Sequence, residues 1–409
     1  MTSDTAPPAL VPPRSLQRLR ALARSARRSH GAWLGLLVLA VLSAHLAIAN
    51  MPKDAFIFDE AFYVPAARCL LTGEVCNVEH PPLAKALMAL SIRCLRDEGF
   101  AWRLPSIIMG TLAIVLVYSL TRRLRDRKTA LLAAFLLSFE TLWFTHSSIA
   151  MLDIVAVSLG LLALLLFIRG EWVWAGAVIG LSMLAKEITI LLIGILPLFT
   201  LLQSPKALSR PALRQAGRVA FFVAVSAGVV FMTGLQMYDS LSHAFPTAFA
   251  HVARMIRHNQ AIAAPPLSDA VQPFQWFSGF TPSAYFVTSA AIGKDVKRTF
   301  VQYYGQPNLV ILLLVWLALP FSLPAVRRKD PNATLHVLLV LVPLTFFLAL
   351  AQSRITYPYY MLVCLPSICV LCATFLVELP RGVVLTYGLG VVMWFLAWFP
   401  RNLLTLSAR

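Results

Sequence analysis

The stretch FDEAFYVPAARCLLTGEVCNVEHPPLAK, residues 58–85, sets an adjacent acid pair, Asp59 and Glu60, ahead of His80, Pro81, Pro82 and Lys85 in a chain otherwise close to hydrocarbon. Further along, Asp153, the neighbours Lys186 and Glu187, and Arg354 stand among apolar residues. A carboxylate can take the proton from an incoming hydroxyl. A phosphate leaving group needs cationic stabilisation and hardly any protonation. These residue types together suit group transfer from a phosphate to a hydroxyl. Adjacent residues on a helix or loop point in different directions, so Asp59 and Glu60 are not expected to share one proton.

Composition says where such a reaction would run. Of 409 residues, 59% are hydrophobic and 13% charged, and the mean hydropathy is +0.75. Soluble domains of this length do not have that balance, and the chain reads as an all-α polytopic membrane protein. Its formal charge of +17 could suit nucleic acid, but the basic residues lie in short runs between apolar segments, where the positive-inside rule puts them. The charge is therefore read as topology, with the bilayer and no nucleic acid as partner.

Windows of about 20 residues give apolar spans near 31–50, 104–121, 129–146, 149–168, 172–185, 187–203, 217–237, 307–325, 333–350, 356–377 and 381–399. The stretch 172–202 is long for one span and short for two, and is broken by Lys186 and Glu187. Loop charge favours two. With eleven spans and a cytoplasmic N-terminus, 20 of the 35 lysines and arginines fall inside, whereas one span there would push the basic loops at 206–218 and 327–329 outside. Residues 1–30, Pro-rich and then Arg-rich, carry no small-residue cleavage pattern, so they are expected to be a cytoplasmic basic tail before a retained anchor helix. Residues 31–409 then form one transmembrane domain.

The two long loops of this domain, 51–103 and 238–306, face outward in that topology. Asp59 and Glu60 fall at the membrane surface on that side, with Asp153 one turn into its span and Lys186, Glu187 and Arg354 in outer turns. Ionisable groups at such depth face a cavity or a partner, or else snorkel to the interface. Their shared level predicts one polar cavity open to the outside. Residues 81–96 read as an amphipathic interfacial helix, with Leu83, Leu87, Leu90 and Leu95 on its apolar face and Lys85, Arg93 and Arg96 elsewhere. Residues 248–258 read as a second.

Other features have plainer readings. Cys364, Cys369 and Cys372 are packing residues of an apolar span, without the histidines a metal site would need. Among Cys69, Cys76 and Cys94 an oxidising compartment permits one disulfide, Cys69–Cys76 being the pair chosen. Glu140 either lines the cavity or pairs within the bundle. A transporter of lipid-linked sugars would also have an outward cavity, but it should show repeated halves and broken helices at the midplane. The charges here gather at one face.

At this point the motifs carry a family resemblance. FDEAFY, EHPPLAK and WRLPSIIMGTLAIVLVYSLTRRL resemble the front half of the dolichyl-phosphate-mannose protein O-mannosyltransferases. SSIAMLD at 147–153, GLSMLAKEITIL and SRITYPYYMLVCLP are similar, in order, to that family's later segments, so the likeness covers most of residues 55–377. It implies a GT-C bundle of about eleven transmembrane helices with interfacial helices in the first long outer loop, in a compact prokaryotic member. It further implies transfer of mannose from a polyprenyl-phosphate donor to a protein Ser or Thr hydroxyl, with inversion, at the outer face of the cell's inner membrane. A single inverting displacement needs one base and no sugar–enzyme intermediate.

By the resemblance Asp59 is the general base and Glu60 orients it or binds the sugar. Lys85, Lys186 and Arg354 are the candidate phosphate ligands, Arg preferred for its bidentate grip; His80 and Asp153 complete the substrate-binding set, His80 either bonding the donor or the acid pair or else capping local structure. The alternative acceptor is a lipid or cell-envelope glycan, as in the related aminoarabinose transferases. No cofactor is implied with certainty and no metal ligands are named; a divalent cation stays open. The chain departs from the family at Ser148, where an arginine is common, near Pro358 or Tyr359, where a histidine is expected, and in the loosely matching VQPFQWFSGF at 271–280.

Overall fold

The structure, a computed structural model, describes residues 14–52, 55–262, 273–276, 283–291 and 297–399. The aromatic segment at 271–280 lies largely outside these, as do residues 1–13 of the tail. The chain opens with α1 (Arg14–Ile48), then two short helices of the first long loop, α2 (Glu60–Thr72) and α3 (Leu83–Leu95), and returns through α4 (Gly99–Leu124). It continues through α5 (Arg127–Ser138), α6 (Thr141–Ser148), α7 (Leu152–Ile168) and α8 (Trp172–Ala185), a 3₁₀ turn at Glu187–Ile190, α9 (Leu191–Gln203) and α10 (Arg210–Ser242). The second long loop holds α11 (Ala248–Ala261), one turn of α12 (Pro273–Trp276) and an antiparallel hairpin, β1 (Ser283–Ala291) with β2 (Lys297–Gly305). Then follow α13 (Leu309–Arg327), α14 (Pro331–Leu350), a 3₁₀ turn at Pro358–Val363, α15 (Leu365–Leu376) and α16 (Arg381–Trp398).

The eleven expected apolar segments are all helical. Among the described residues six helices, His30–Ile48 of α1, α4, α10, α13, α14 and α16, are long and apolar enough to cross a membrane, and α5 with α6 passes as a bent seventh. The other four segments are the shorter apolar helices α7, α8, α9 with its 3₁₀ turn, and α15. The chain is a multi-pass membrane protein.

Local chemistry sets the ends of these helices. Asp126, Ser209, Thr247, Asn308 and Asp330 each accept a backbone N–H from the first turn of the helix that follows, which satisfies a donor the helix leaves open. Glu140 does the same within the expected span 129–146: its carboxylate accepts from Trp143 N at 2.6 Å and from Asn308 N at 2.7 Å. That span is not one straight helix. It breaks at Glu140 and bends by 62°, because the buried acid starts a new helix and binds the backbone ahead of α13. Glu140 therefore serves the bundle and does not line the cavity.

The stretch 172–202 folds as two helices. Gly176, Gly180 and Leu184 of α8 meet Val223, Ala227 and Gly234 of α10 in turn, so these helices run parallel. α9 must then carry the chain back between them. The Gly176–Gly180 pair allows the close approach, since a Cβ at either position would sit 2.0–2.5 Å from α10 atoms. Lys186 is the break: its backbone is extended, φ −158° and ψ 134°, between α8 and the 3₁₀ turn.

α3 forms nearly where expected but turns a different face inward. Ala84, Lys85, Met88, Ala89 and Ile92 are buried, while Leu90 is 58% exposed and Leu95 44% exposed. The leucine stripe read as the packing face is thus partly outward, and Lys85, expected with the polar residues, is inside. α11 takes the place of the second expected interfacial helix, with Phe249, Arg254, Ile256 and Arg257 exposed.

Candidate active site

The acid pair straddles the start of α2, and its two members face opposite ways. Glu60 is fully buried. Its Oε1 and Oε2 receive Arg103 Nε at 2.8 Å and Nη2 at 2.9 Å, and they also accept the backbone N–H groups of Ala150 and Ile57 at 2.8 Å. Arg103 spends its remaining donors on the carbonyls of Ala49, Met51, Pro52 and Ala55. This ion pair binds the loop after α1, the start of α2, α4 and the segment before α7 into one dry knot.

Asp59, half-buried, points instead into a cavity of about 850 Å³. Burial holds its carboxyl up, at about 6, against the opposing pull of Lys186 and His80 and of a hydrogen bond from Tyr63, while Asp153 adds to the rise. Around the same cavity stand His80, Asp153, Lys186, Glu187, Asn259, Arg354, Tyr359 and Tyr360. Lys186 Nζ lies 2.7 and 2.8 Å from the two oxygens of Asp153 and 5.2 Å from the centre of the Tyr359 ring. Arg354 differs. Its guanidinium donates to Asn259 Oδ1 and, at 3.0 Å, to the Tyr360 hydroxyl, both neutral. No carboxylate pairs with it among the described residues. Part of the lining is apolar, formed by Ile188 and Ile190 of the 3₁₀ turn and by Phe346, Phe347 and Leu350 of α14.

The wall of the cavity formed by Asn77, Glu79 and His80 is held from three sides. Cys69 and Cys76 are disulfide-bonded, leaving Cys94 free. Cys69, Glu74 and Cys76 come together, but the two sulfurs bind each other and are not open to a metal. Lys85, 2% exposed, donates to the carbonyls of Asn77 and His80. Burial pulls its ammonium down, to about 7, with Glu79 and Glu187 opposing. From the other long loop, buried His251 bonds Asp239 Oδ1 and Val78 O, each at 2.8 Å.

Five of the seven residues singled out from sequence, Asp59, His80, Asp153, Lys186 and Arg354, therefore share one cavity, and two do not reach it. Glu60 is consumed by Arg103, and Lys85 by loop carbonyls. Ser148, standing where an arginine was expected, is buried and donates to Phe144 O at 2.7 Å, so the cations of the cavity come from α8–α9 and from the turn after α14. Sequence reading missed Arg103, though it is the one charge in the first turns of an apolar helix. It also missed Tyr63, which stands in the quoted FDEAFY, Tyr359 and Tyr360, which stand in the quoted SRITYPYYMLVCLP, and Tyr285, which no motif marked.

The fold is that of the GT-C polytopic membrane enzymes. ArnT from Cupriavidus metallidurans, solved bound to undecaprenyl phosphate, superposes with a TM-score of 0.62 at 18% identity, over 87% of this chain and 62% of that one. The Archaeoglobus fulgidus oligosaccharyltransferase in its apo form gives a TM-score of 0.55 at 14% identity, over 93% of this chain and 54% of that one.

In sequence, the family model described as dolichyl-phosphate-mannose-protein mannosyltransferase matches residues 79–232, which bear out the resemblance carried by the motifs there. The Mycolicibacterium smegmatis protein named polyprenol-phosphate-mannose–protein mannosyltransferase is 28% identical over 137 residues, 31% of this chain and 27% of that protein. The match thus spans little more than a quarter of that relative's length. Asp59, Glu60 and Arg354 lie outside the residues matched by the family model.

Proposed function

We propose that this chain is a glycosyltransferase of the cell's inner membrane that moves mannose from a polyprenyl-phosphate donor to a protein Ser or Thr hydroxyl at the outer face, with inversion. The observation that carries the reading is the pairing, in one cavity with a partly apolar lining, of a half-buried carboxylate held near pKa 6 with an arginine bonded only to neutral partners. The name of the mycobacterial relative supports the donor and acceptor classes. The disulfide of the first long loop supports the outward orientation, since such bonds persist in oxidising compartments.

In this mechanism the donor phosphate lies against Arg354, with Lys186 beside it, and the polyprenyl chain leaves over the apolar lining from α14 and the 3₁₀ turn. Asp59 accepts the proton of the acceptor hydroxyl as its oxygen bonds to the anomeric carbon. The bond from that carbon to phosphate oxygen breaks on the opposite face, and its electron pair leaves with polyprenyl phosphate. Arg354 and Lys186 stabilise that growing charge. Glu60 has no direct part; it fixes the backbone from which Asp59 projects.

The test is incubation of membranes containing the protein with radiolabelled polyprenyl-phosphate mannose, followed by separation of labelled protein from labelled lipid. Label in protein supports the reading as stated. Label confined to lipid or envelope glycan keeps the enzyme class and changes the acceptor. Label in neither overturns the enzyme.

A further inference from the structure

We propose that Tyr285, on the second long loop, is a positioning residue that fixes the aim of Asp59; the inference rests on the base role proposed above for that carboxylate. Asp59 follows Phe58, whose φ of +54° lies in the left-handed region that a bulky side chain rarely adopts. Such a conformation persists only where its surroundings over-determine it. One residue of β1 supplies that hold twice. The Tyr285 carbonyl accepts the Phe58 N–H at 3.1 Å, and the two rings stack with centroids 4.1 Å apart and planes 13° from parallel.

Tyr285 is itself fixed. Its hydroxyl bonds His146 Nε2 at 2.9 Å. Its ring lies over Gly305 of β2, where a Cβ would come within 2.2 Å of the ring carbon and the hydroxyl. Glycine at 305 is thus what lets the strand pair close with the ring in place. On the other side of Asp59, Glu60 is pinned by Arg103. The carboxylate in the cavity therefore projects from the one residue between two clamps, one built by α4 and the other by a hairpin distant in sequence. Neither Tyr285, His146 nor Gly305 lines the cavity. An effect of any of them on turnover has to travel through residues that do line it, Phe58, which Tyr285 holds, and Tyr359, which His146 touches.

Three variants test this. Gly305→Ala displaces the ring, Tyr285→Leu removes both the stack and the hydroxyl, and Tyr285→Phe removes only the bond to His146. In the first two, kcat is expected to fall about 100-fold, the scale of a misplacement near 1 Å, with donor KM unchanged and the acidic limb of the pH–rate profile displaced from wild type. Tyr285→Phe should fall between, and serves should the others fail to fold. A second readout needs no sugar transfer: the pH dependence of carbodiimide modification of Asp59, followed by mass spectrometry. A displaced profile in the variants supports the clamp. Wild-type kcat and a wild-type modification profile in folded Gly305→Ala and Tyr285→Leu would overturn it. A wild-type protein that transfers no sugar would sink the proposed function, while the modification profiles would still decide on the clamp.

Discussion

Asp59 and Glu60 are neighbours in the chain and opposites in environment. Glu60 faces a dry knot in which each oxygen meets an arginine nitrogen and a backbone N–H. Asp59 faces a cavity, keeps one hydrogen bond from Tyr63, and is held above its ordinary pKa by burial. The difference teaches how to tell a structural carboxylate from a reactive one: the first has all its needs met inside the protein, and the second is left with a need that a substrate hydroxyl can fill. Removing the charge should then have opposite consequences at the two positions.

The largest effect is expected at Asp59. Asp59→Asn keeps size and hydrogen bonding but not basicity, so turnover should drop by roughly 10²–10⁴-fold, the usual reach of a positioned general base. In the wild type, turnover should fall as the pH drops through about 6, where the carboxylate takes up a proton. Stability should move the other way. Because the folded pKa is raised above the ordinary value, the contribution of this group to stability is full at low pH and is lost as the pH rises through about 6. At pH 7 the Asn variant should therefore unfold at the same temperature as wild type or higher. A variant that is folded and inserted with near-normal turnover would move the base assignment away from Asp59, with Asp153 next in line.

Glu60→Gln should do the reverse. It strands the Arg103 guanidinium in a site with no exposure, and breaking one partner of a buried pair costs about 3–5 kcal/mol. The expected outcome is a large loss of thermal stability and of correctly inserted protein, with the surviving fraction losing less turnover per molecule than Asp59→Asn. An inserted, stable and inactive Glu60→Gln would show instead that this carboxylate acts in the chemistry.

The two cations of the cavity sharpen the same contrast. Arg354→Ala removes a charge with only neutral partners, so it should weaken donor binding by about 1.5–3 kcal/mol, the worth of a charge-assisted hydrogen bond, and leave stability near wild type. Lys186→Ala should weaken donor binding too, but it also leaves Asp153 unpaired and so should lower the unfolding temperature. Donor titration beside thermal unfolding separates the two. Normal donor affinity in Arg354→Ala would return that residue to a purely structural role.

Much of this was legible in the sequence because it is written locally. Apolar runs marked the helical segments, loop charge argued for two helices around Lys186, and the shared level of six charged residues, Asp59, Glu60, Asp153, Lys186, Glu187 and Arg354, pointed to one cavity, which all but Glu60 line. What was not legible depends on partners far apart in the chain. Nothing near Glu60 announces Arg103, 43 residues away, so Glu60 read as a site residue that orients Asp59 or binds the sugar. Lys85 sits at a position whose helical spacing is compatible with either face, and only the loop carbonyls it meets decide for the interior. The strand pair 283–291 and 297–305 lies in a loop that charge could orient but hydropathy could not shape, and its contact with Phe58 exists only in three dimensions.

The smallest effect concerns the tie between the two long loops. Val78 O can only accept, so His251 Nε2 carries a proton toward it, while Nδ1 faces the Asp239 carboxylate. Asparagine and glutamine dissect the two bonds, because the Asn amide reaches about as far as Nδ1 and the Gln amide about as far as Nε2. His251→Gln should keep the bond to Val78 and with it the wall at Asn77, Glu79 and His80. His251→Asn should keep Asp239 and release the wall. Losing one such hydrogen bond is worth about 0.5–1.5 kcal/mol, so amide exchange across 74–82 should quicken roughly two- to tenfold in the Asn variant alone, with a matching rise in substrate KM. Both variants should lose some thermal stability, since each gives up one buried partner. Equal exchange across 74–82 in the two variants would mean that the wall is held by the disulfide and Lys85 without help from the second loop, and that His251 serves only to join α10 to α11.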